Sequence, residues 1–312
     1  MPAKLIDGVA IARSVRDRVA RETAALKSLG ITPGLAVILV GDDPASATYV
    51  RSKGLASEEA GIHSSAIRLP AETTQAELLA RIDELNLNES IHGILVQMPL
   101  PPQIDPDAVI LRVDPAKDVD GFHPVNVGKL LIGQRDGFVS CTPAGVIELL
   151  RAAHVETAGK ECVIIGRSMI VGRPMAALLV QNTEPGNCTV TVCHSRTRDL
   201  RSHTLRAEIL IVAAGRAGLV TGDMVRPGAV VVDVGMNRIP DASTRSGSRL
   251  VGDVDFSSVR EVASKITPVP GGVGPMTIAM LLSNTVLSAS RFADARTHAA
   301  GRGTPQAAAV HA

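Results

Sequence analysis

The chain has 312 residues and a formal net charge of +1 at pH 7, which argues against general binding to nucleic acid or anionic membranes, because both need concentrated positive charge. A hydrophobic content of 45%, with 28 glycines and 19 prolines, is typical of a globular α/β protein and not of a disordered chain. The length favours two domains.

The sequence also lacks the marks of export and of metal binding. No apolar run approaches the ~18 residues of a membrane span, and the N-terminus has no signal-peptide apolar region, so we expect a cytoplasmic protein without a membrane partner. The cysteines form no C-x-x-C pair, which favours buried reduced thiols over a disulfide or a zinc site. They are Cys141, Cys162, Cys188 and Cys193.

Apolar periodicity predicts alternating helices and strands in the first part of the chain. Residues 9–29 have helical spacing and are followed by Gly30, a good residue to end a helix. Leu35–Val40 is an apolar run closed by a glycine, as expected of a buried parallel strand. The further elements are a helix after Asp43, the strand His63–Leu69, a helix from Thr74 to about Leu87 and the strand Gly93–Gln97. This βαβαβ alternation predicts a doubly wound sheet whose ligands bind beyond the carboxyl ends of the strands.

A second βα series begins near residue 160. Its predicted elements are the strand Glu161–Ile165, a helix over Val171–Val180, and the strands Thr189–Cys193, Glu208–Val212 and Ala229–Asp233. Residues 184–187 and 240–248 are predicted to be surface loops. The segment from about residue 297 is rich in Ala and Gly and is predicted to be disordered.

Tyr49 is the only tyrosine of the chain, and Lys53 follows it four positions later. Asp43 suits the N-cap and Pro44 the first position of a helix that places both side chains on one face. Such a phenol and ammonium can form a compact proton-handling pair, although a plain surface pair is the alternative for any Tyr-x-x-x-Lys. Both this helix and Gln97 lie at carboxyl ends of predicted strands, so the three side chains can converge on one pocket.

The turn after the first strand of the second series is a candidate dinucleotide site. It reads Gly166-Arg167-Ser168-Met-Ile-Val-Gly172 and departs from G-x-G-x-x-G because Ser168 stands at the second glycine, so an ordinary βα loop is the alternative. The next strand ends in Cys193-His194-Ser195-Arg196, without the carboxylate that binds the ribose of NAD. A hydroxyl and guanidinium there, together with Arg167, suit the 2′-phosphate of NADP. NADP is therefore favoured over NAD.

Several motifs in this order resemble one family. They are Tyr49-x-x-x-Lys53, Gly93-Ile-Leu-Val-Gln97-Met-Pro-Leu100, Lys117-Asp-Val-Asp120-Gly-Phe, Cys141-Thr-Pro, Gly166-Arg-Ser168 and Thr267-Pro-Val-Pro-Gly-Gly-Val-Gly-Pro-Met-Thr277. Over most of its length the chain resembles the bifunctional methylenetetrahydrofolate dehydrogenase/methenyltetrahydrofolate cyclohydrolases, the FolD family. The departures, near residues 183–188, near residues 242–249 and in the C-terminal tail, lie away from the motifs.

The resemblance implies two α/β domains with a cleft between them. Residues 1–140 would form a folate-binding catalytic domain, completed by a C-terminal helix over residues 275–295. Residues 141–274 would form a Rossmann-type NADP-binding domain, and residues 297–312 would be a disordered tail. The family further implies tetrahydrofolate derivatives as ligands, a homodimer, and a product that feeds purine, methionine and histidine synthesis.

The resemblance also implies residue roles. Lys53 matches the catalytic lysine, Tyr49 the tyrosine packed on the folate, Gln97 the glutamine beside the lysine, and Asp120 the aspartate that holds the pterin ring. Further folate contacts are expected from Val96, Met98, Pro270, Gly271 and Gly272. The expected NADP contacts are Gly166, Arg167, Ser168, Ser195, Arg196, Met236 and Thr277, and no metal is expected.

The implied reactions make different demands on these side chains. Hydride transfer needs the nicotinamide held ~3–3.5 Å from the methylene carbon, which is a positioning task. Hydrolysis needs a group that accepts a proton from water and returns one to a ring nitrogen, and a lysine with its pKa lowered to ~7–8 could do both. We therefore expect a lowered pKa for Lys53. Asp120 could also be an ordinary turn residue in Asp-Val-Asp-Gly, and Gly271 and Gly272 could belong to a plain chain-reversal loop.

Three alternatives compete with this interpretation. A short-chain dehydrogenase also uses Tyr-x-x-x-Lys, but there the pair follows the nucleotide-binding glycines, whereas here it precedes Gly166. A non-catalytic folate- or dinucleotide-binding protein would be expected to have lost Lys53 or Gln97, and both are present. An enzyme that retains only one of the two activities stays open.

Overall fold

A computed structural model of the chain describes residues 2–244 and 247–301. The chain divides into two compact units. The six-stranded unit, named for its main sheet, comprises Met1–Asp17 and Asp118–Leu281, and the three-stranded unit comprises Arg18–Lys117 and Leu282–Ala312. The predicted domain division at residues 140 and 274 assigns folate to one part and NADP to the other, and this assignment stays a prediction.

The described residues form the following elements in chain order. The strands are β1 Lys4–Leu5, β2 Gly34–Val40, β3 His63–Leu69, β4 Gly93–Val96, β5 Glu161–Ile165, β6 Thr189–Cys193, β7 Ile209–Val212, β8 Val230–Asp233, β9 Asn237–Pro240, β10 Ser248–Val251 and β11 Lys265–Ile266. The helices are α1 Gly8–Ser28, α2 Pro44–Glu59, α3 Gln75–Leu87, α4 Pro106–Arg112, α5 Pro124–Leu131, α6 Cys141–Ala152, α7 Gly172–Leu179, α8 Leu200–Thr204, α9 Phe256–Arg260 and α10 Val273–Gly301, with a 3₁₀ turn at Gly222–Met224.

The three-stranded unit contains a parallel sheet in the order β3-β2-β4. The central strand β2 is buried along its whole length, which explains its uninterrupted apolar sequence. Helix α3 begins with a capping box, in which Thr74 and Glu77 bond each other's backbone N–H groups. Because β3 and β4 flank β2, the connections that leave β2 and β4 diverge, which is the topology at which doubly wound sheets bind their ligands.

The six-stranded unit contains a parallel sheet in the order β1-β11-β8-β7-β5-β6. The strands from β5 to β8 follow the doubly wound pattern. The connection from β5 leads to β6 and that from β7 leads to β8, in opposite directions, so a second ligand site is expected at the carboxyl ends of β5 and β7. An antiparallel hairpin of β9 and β10 lies in the same unit, and the ends of the loop predicted over residues 240–248 belong to it, because Pro240 pairs with Ser248. The predicted α/β class with parallel sheets is confirmed.

The final helix differs from the sequence-based expectation in two respects. It continues to Gly301, so the predicted start of a disordered tail at residue 297 lies within a helix, while residues 302–312 lie outside the described part of the chain. By length and composition, Val273–Arg296 could cross a membrane, although no segment was expected to reach that length. Most of this segment is buried inside the protein, as is typical of a core helix.

Candidate active site

Helix α2 carries Tyr49 and Lys53 away from the carboxyl end of β2. The helix begins as predicted, because the Asp43 carboxylate accepts a hydrogen bond from the Ser46 N–H at 2.7 Å and Pro44 occupies the first turn. Tyr49 is 37% exposed, whereas Lys53, one turn later, is only 8% exposed. The helix therefore presents an accessible phenol ring beside a nearly buried amine.

The Lys53 amine is held by Gln97, from the carboxyl end of β4. Lys53 Nζ donates to Gln97 Oε1 at 2.9 Å, and Gln97 Nε2 donates to the carbonyl of Met98 at 2.7 Å, which orients the amide with its oxygen toward the lysine. The Gln97 N–H also donates to the Ile38 carbonyl at 2.8 Å and so extends the β2–β4 ladder. The predicted meeting of Lys53 and Gln97 is therefore present, at the carboxyl end of β4.

Lys117, from the Lys117–Gly121 motif, has a structural role. Its Nζ donates to the carbonyls of Leu85, Asn86 and Asn88 at 3.0, 2.7 and 2.8 Å, and so satisfies the open carbonyls at the C-terminus of α3. Burial lowers the pKa of the Lys117 amine, although the negative charges of Asp114 and Glu89 act to raise it. Sequence reasoning named the motif without assigning this role to the lysine.

Asp118 organises the turn that contains Asp120. Its carboxylate accepts hydrogen bonds from the N–H groups of Phe122 and His123 at 3.2 and 2.8 Å, and from Asn126 Nδ2 at 2.8 Å. Burial raises the pKa of Asp118, these bonds oppose the rise, and the charge of Asp120 adds to it. Asp120 itself is half-buried. Asp120 lies in this turn, in agreement with the turn interpretation, and its contact with a pterin stays a prediction.

Backbone conformation or close packing explains three of the glycines in the sequence motifs. Gly121 has φ +72°, and a Cβ there would lie 2.6 Å from the Ser140 nitrogen. Gly271 has φ +101°, and a Cβ on Gly272 would lie 2.5 Å from the Pro268 carbonyl oxygen. The glycines of the Pro270–Gly272 loop therefore serve backbone packing in addition to any ligand contact.

The turn after β5 has the close packing that dinucleotide binding requires. Gly166 has φ +128°, and a Cβ at this position would overlap the carbonyl of Ala213. A Cβ on Gly172 would overlap the carbonyl of Gly166, so the start of α7 lies directly against the turn. Ser168, at the position of the missing second glycine, accepts a hydrogen bond at its Oγ from the Val171 N–H at 3.1 Å and so holds the turn locally. These contacts fit a backbone that lets a pyrophosphate approach closely.

The end of β6 exposes the two residues predicted to bind a 2′-phosphate. Ser195 and Arg196 are exposed, as is Arg167 in the turn after β5, the strand next to β6. His194 shapes the loop, because its Nδ1 accepts from the Arg196 N–H at 3.2 Å and its own N–H donates to Thr197 Oγ1 at 2.8 Å. His194 is thus a loop residue, as a single histidine at a strand end most often is.

The remaining predicted contacts lie in the same unit. Met236, in the loop after β8, is 47% exposed. The Thr277 hydroxyl lies 3.0 Å from that of Thr142, so α10 and α6 are joined by a polar contact near their first turns. Among residues 2–244 and 247–301, no group of three or more His, Cys, Asp or Glu side chains is placed to hold a metal ion.

Comparison with known proteins accounts for both units. Residues 6–120 match the family model described as tetrahydrofolate dehydrogenase/cyclohydrolase, catalytic domain, and residues 140–293 match the corresponding NAD(P)-binding domain. The bifunctional protein FolD of Chlorobium limicola is 60% identical over 263 residues, covering 84% of this chain and 89% of that protein. The chain belongs to the tetrahydrofolate dehydrogenase/cyclohydrolase family.

Other members of the tetrahydrofolate dehydrogenase/cyclohydrolase family support this placement over nearly the full length. FolD of Prosthecochloris aestuarii is 56% identical and covers 92% of this chain and 98% of its own. The FolD structure from Campylobacter jejuni has a TM-score of 0.88 at 52% identity, covering 93% of this chain and 99% of that chain. The Trypanosoma brucei enzyme, solved with NADP and an inhibitor, has a TM-score of 0.88 at 43% identity, covering 93% and 98%.

Proposed function

We propose that the protein oxidises 5,10-methylenetetrahydrofolate with NADP⁺ to 5,10-methenyltetrahydrofolate and hydrolyses this cation to 10-formyltetrahydrofolate. As a family member it is a bifunctional dehydrogenase and cyclohydrolase of folate one-carbon metabolism. The observation that carries the proposal is the nearly buried Lys53 amine held by Gln97 at the carboxyl edge of a parallel sheet. Its product would supply purine, methionine and histidine synthesis.

NADP fits the residues at the edge formed by β5 and β6. When bound, NADP⁺ supplies the carbon that accepts the hydride. Gly166 and Ser168 would hold the pyrophosphate at the start of α7, while Arg167, Ser195 and Arg196 would contact the 2′-phosphate. The exposed Met236 and the partly buried Thr277 complete the proposed set. The Trypanosoma brucei relative solved with NADP supports this choice of cofactor.

Hydrolysis needs a proton carrier, and we assign that role to Lys53. The neutral amine would donate one N–H to Gln97 Oε1 and use its lone pair to take a proton from the water that attacks the methenyl carbon. The resulting ammonium would return a proton to the ring nitrogen as its bond to that carbon breaks, and the hydroxyl proton of the water adduct would leave to solvent as the formyl C=O forms. Burial favours the neutral form of an amine, which suits this cycle. The oriented Gln97 amide keeps the nitrogen in place throughout.

Substrate binding is assigned to the remaining residues. Tyr49 would stack its exposed ring on the planar folate, and Val96 and Met98 flank Gln97 on the same segment. Asp120 would accept hydrogen bonds from the donor-rich edge of the pterin, on a turn that Asp118 holds in shape. The Pro270–Gly272 loop would approach the ligand through its backbone.

An assay of the purified protein tests both activities. Methylenetetrahydrofolate and NADP⁺ should yield NADPH and a methenyl absorbance that rises and then decays faster than in protein-free buffer. NADPH formation without accelerated decay would favour a dehydrogenase alone, and decay without NADPH a cyclohydrolase alone. If folate and dinucleotide bind but neither reaction occurs, the protein is a non-catalytic binding protein and the assignment of Lys53 is wrong.

We also propose a cytoplasmic homodimer. The dimer rests on the resemblance, and the described part of β6 offers one surface for it, since this edge strand pairs only with β5. Light scattering of the purified protein should give twice the chain mass, and a monomeric mass at working concentration would overturn the proposal.

A further inference from the structure

Asp253 is a completely buried carboxylate that holds two loops at one edge of the six-stranded sheet. Its Oδ2 accepts from the N–H groups of Ala214 and Gly215 at 2.6 and 2.8 Å. Its Oδ1 accepts from the Arg216 N–H and from Asn237 Nδ2, both at 2.8 Å. Three of these donors lie in the loop after β7, and the fourth begins β9 directly after the loop that contains Met236. One side chain with 0% exposure therefore sets the course of both loops.

The bonds to Asp253 also determine how the β7 loop meets the dinucleotide turn. In a trans peptide the N–H and C=O point in opposite directions, so the Ala214 N–H directed at Asp253 turns the Ala213 carbonyl away from it. That carbonyl lies where a Cβ on Gly166 would be, in contact with the first residue of the turn. Asp253 is thus linked to Gly166 through a single rigid peptide plane.

The contacts of Asp253 lie beside the point where the connections of the sheet change direction, between β5 and β7. The connection from β5 leads toward β6, whereas the connection from β7 leads toward β8, so the two loops separate at neighbouring strands. Ligands of doubly wound sheets bind in the crevice at such a point. Residues 214–218 are exposed there, while their N–H groups at 214–216 are turned inward to Asp253. The outer face of the loop is therefore held open toward the crevice.

A second carboxylate holds Asp253 itself in place. Asp233, the last residue of β8, accepts hydrogen bonds from the N–H groups of Gly235, Asp253 and Val254 at 2.9, 2.9 and 3.0 Å. A Cβ on Gly252 would overlap the Asp233 carboxylate, so only glycine fits before Asp253. Asp233 therefore holds Asp253 in place, and Asp253 in turn holds the two loops.

We infer that Asp253, assisted by Asn237, is a positioning residue for NADP, because it sets the β7 loop and the Met236 loop against the Gly166 turn. The inference rests on the proposed NADP-dependent function and extends it to residues that do not contact the cofactor. A positioning role and a purely structural role of Asp253 predict different effects when its carboxylate is removed. A positioning role concerns cofactor binding, whereas a structural role would affect stability and both activities together.

The test is Asp253→Asn, which keeps the shape of the side chain but replaces one acceptor oxygen with a donor facing N–H groups. We expect the KM for NADP⁺ to rise about tenfold or more, since several backbone donors lose their acceptor and the loops shift, while kcat changes by less than about threefold. Direct titration with NADP⁺ should show the same loss of affinity. Hydrolysis of methenyltetrahydrofolate, which uses no dinucleotide, reports whether the variant is folded.

The matched control is Thr157→Val, because Thr157 is also fully buried in the six-stranded unit and accepts a backbone N–H, from Gly186 at 2.9 Å. Thr157 precedes β5 and so lies at the amino ends of the strands, away from the carboxyl ends where NADP is proposed to bind. We expect Thr157→Val to lose stability with an unchanged KM for NADP⁺. If Asp253→Asn does not fold, Asn237→Ala removes one bond only and should raise the KM about threefold to tenfold.

The outcomes separate this inference from the proposed function. Wild type that does not oxidise its substrate with NADP⁺ would overturn the proposed function. Active wild type with an unchanged KM in Asp253→Asn or, where that variant does not fold, in Asn237→Ala would overturn the positioning role alone. Equal losses in hydrolysis and in dehydrogenase kcat, without a separate change in KM, would also refute it, because they would indicate general unfolding.

Discussion

Asp233→Asn should change how the stability of the protein depends on pH. Asp233 is only 3% exposed, and burial raises its pKa to about 6 from the ordinary 3.8, despite three hydrogen bonds from backbone N–H groups. The charge of Asp253 adds to the rise. The difference of about 2.2, at 1.36 kcal/mol for each pKa unit, corresponds to about 3 kcal/mol.

The sign follows from the direction of this change. A folded-state pKa above the unfolded value means that the contribution of Asp233 is fully present below about pH 4 and is lost as the pH rises through about 6. Asparagine does not titrate. The quantity to compare is the free energy of unfolding of the wild type minus that of the variant. This difference should be about 3 kcal/mol larger near pH 4 than near pH 7. A constant cost adds to this at every pH, because the amide places a donor against one of the backbone N–H groups.

The measurement is urea unfolding of both proteins at several pH values, with the m-values compared to check that the transitions are equivalent. Asp223→Asn is a suitable control, because it is the same substitution at an exposed position whose pKa is lowered, chiefly by a hydrogen bond from Thr221. Its effect should grow as the pH rises, opposite to that at Asp233. A stability difference for Asp233→Asn that does not vary between about pH 4 and about pH 7 would refute the burial argument.

Three further outcomes follow from the site and the C-terminus. Lys53→Met should lower hydrolysis ~10²–10⁴-fold while the methenyl cation still forms, so that its absorbance accumulates; full hydrolysis in the variant would make Tyr49 the next candidate. Arg196→Ala combined with Ser195→Ala should weaken NADP far more than NAD, and equal kcat/KM for both cofactors in the wild type would contradict the phosphate site. Truncation after residue 296 should leave activity and Tm nearly unchanged, because the Ala- and Gly-rich end offers little apolar surface; a Tm lower by many degrees would show that it packs on the protein.

The amino-acid sequence by itself determined most of the long elements and the ends that carry the site, although it did not predict the 12-residue helix α6. Apolar runs identified β2, β5, β7 and β8, because buried parallel strands need apolar side chains on both faces. Asp43 and Pro44 identified the start of α2, since capping depends only on neighbouring residues. The short helices α4, α5 and α9 and the two-residue strands β1 and β11 were not predicted, because so few residues give no measurable period.

Only the tertiary structure showed which residues of the sequence motifs support the fold. Lys117 and Asp118 belong to the same motif as Asp120, yet the first holds a helix end and the second a turn. Asp253 drew no attention in the sequence, because its donors lie 16 to 39 residues away. Local propensity places a side chain at the end of a strand, but strand order determines its neighbours. Lys53 and Gln97 meet across 44 residues because β4 pairs beside β2.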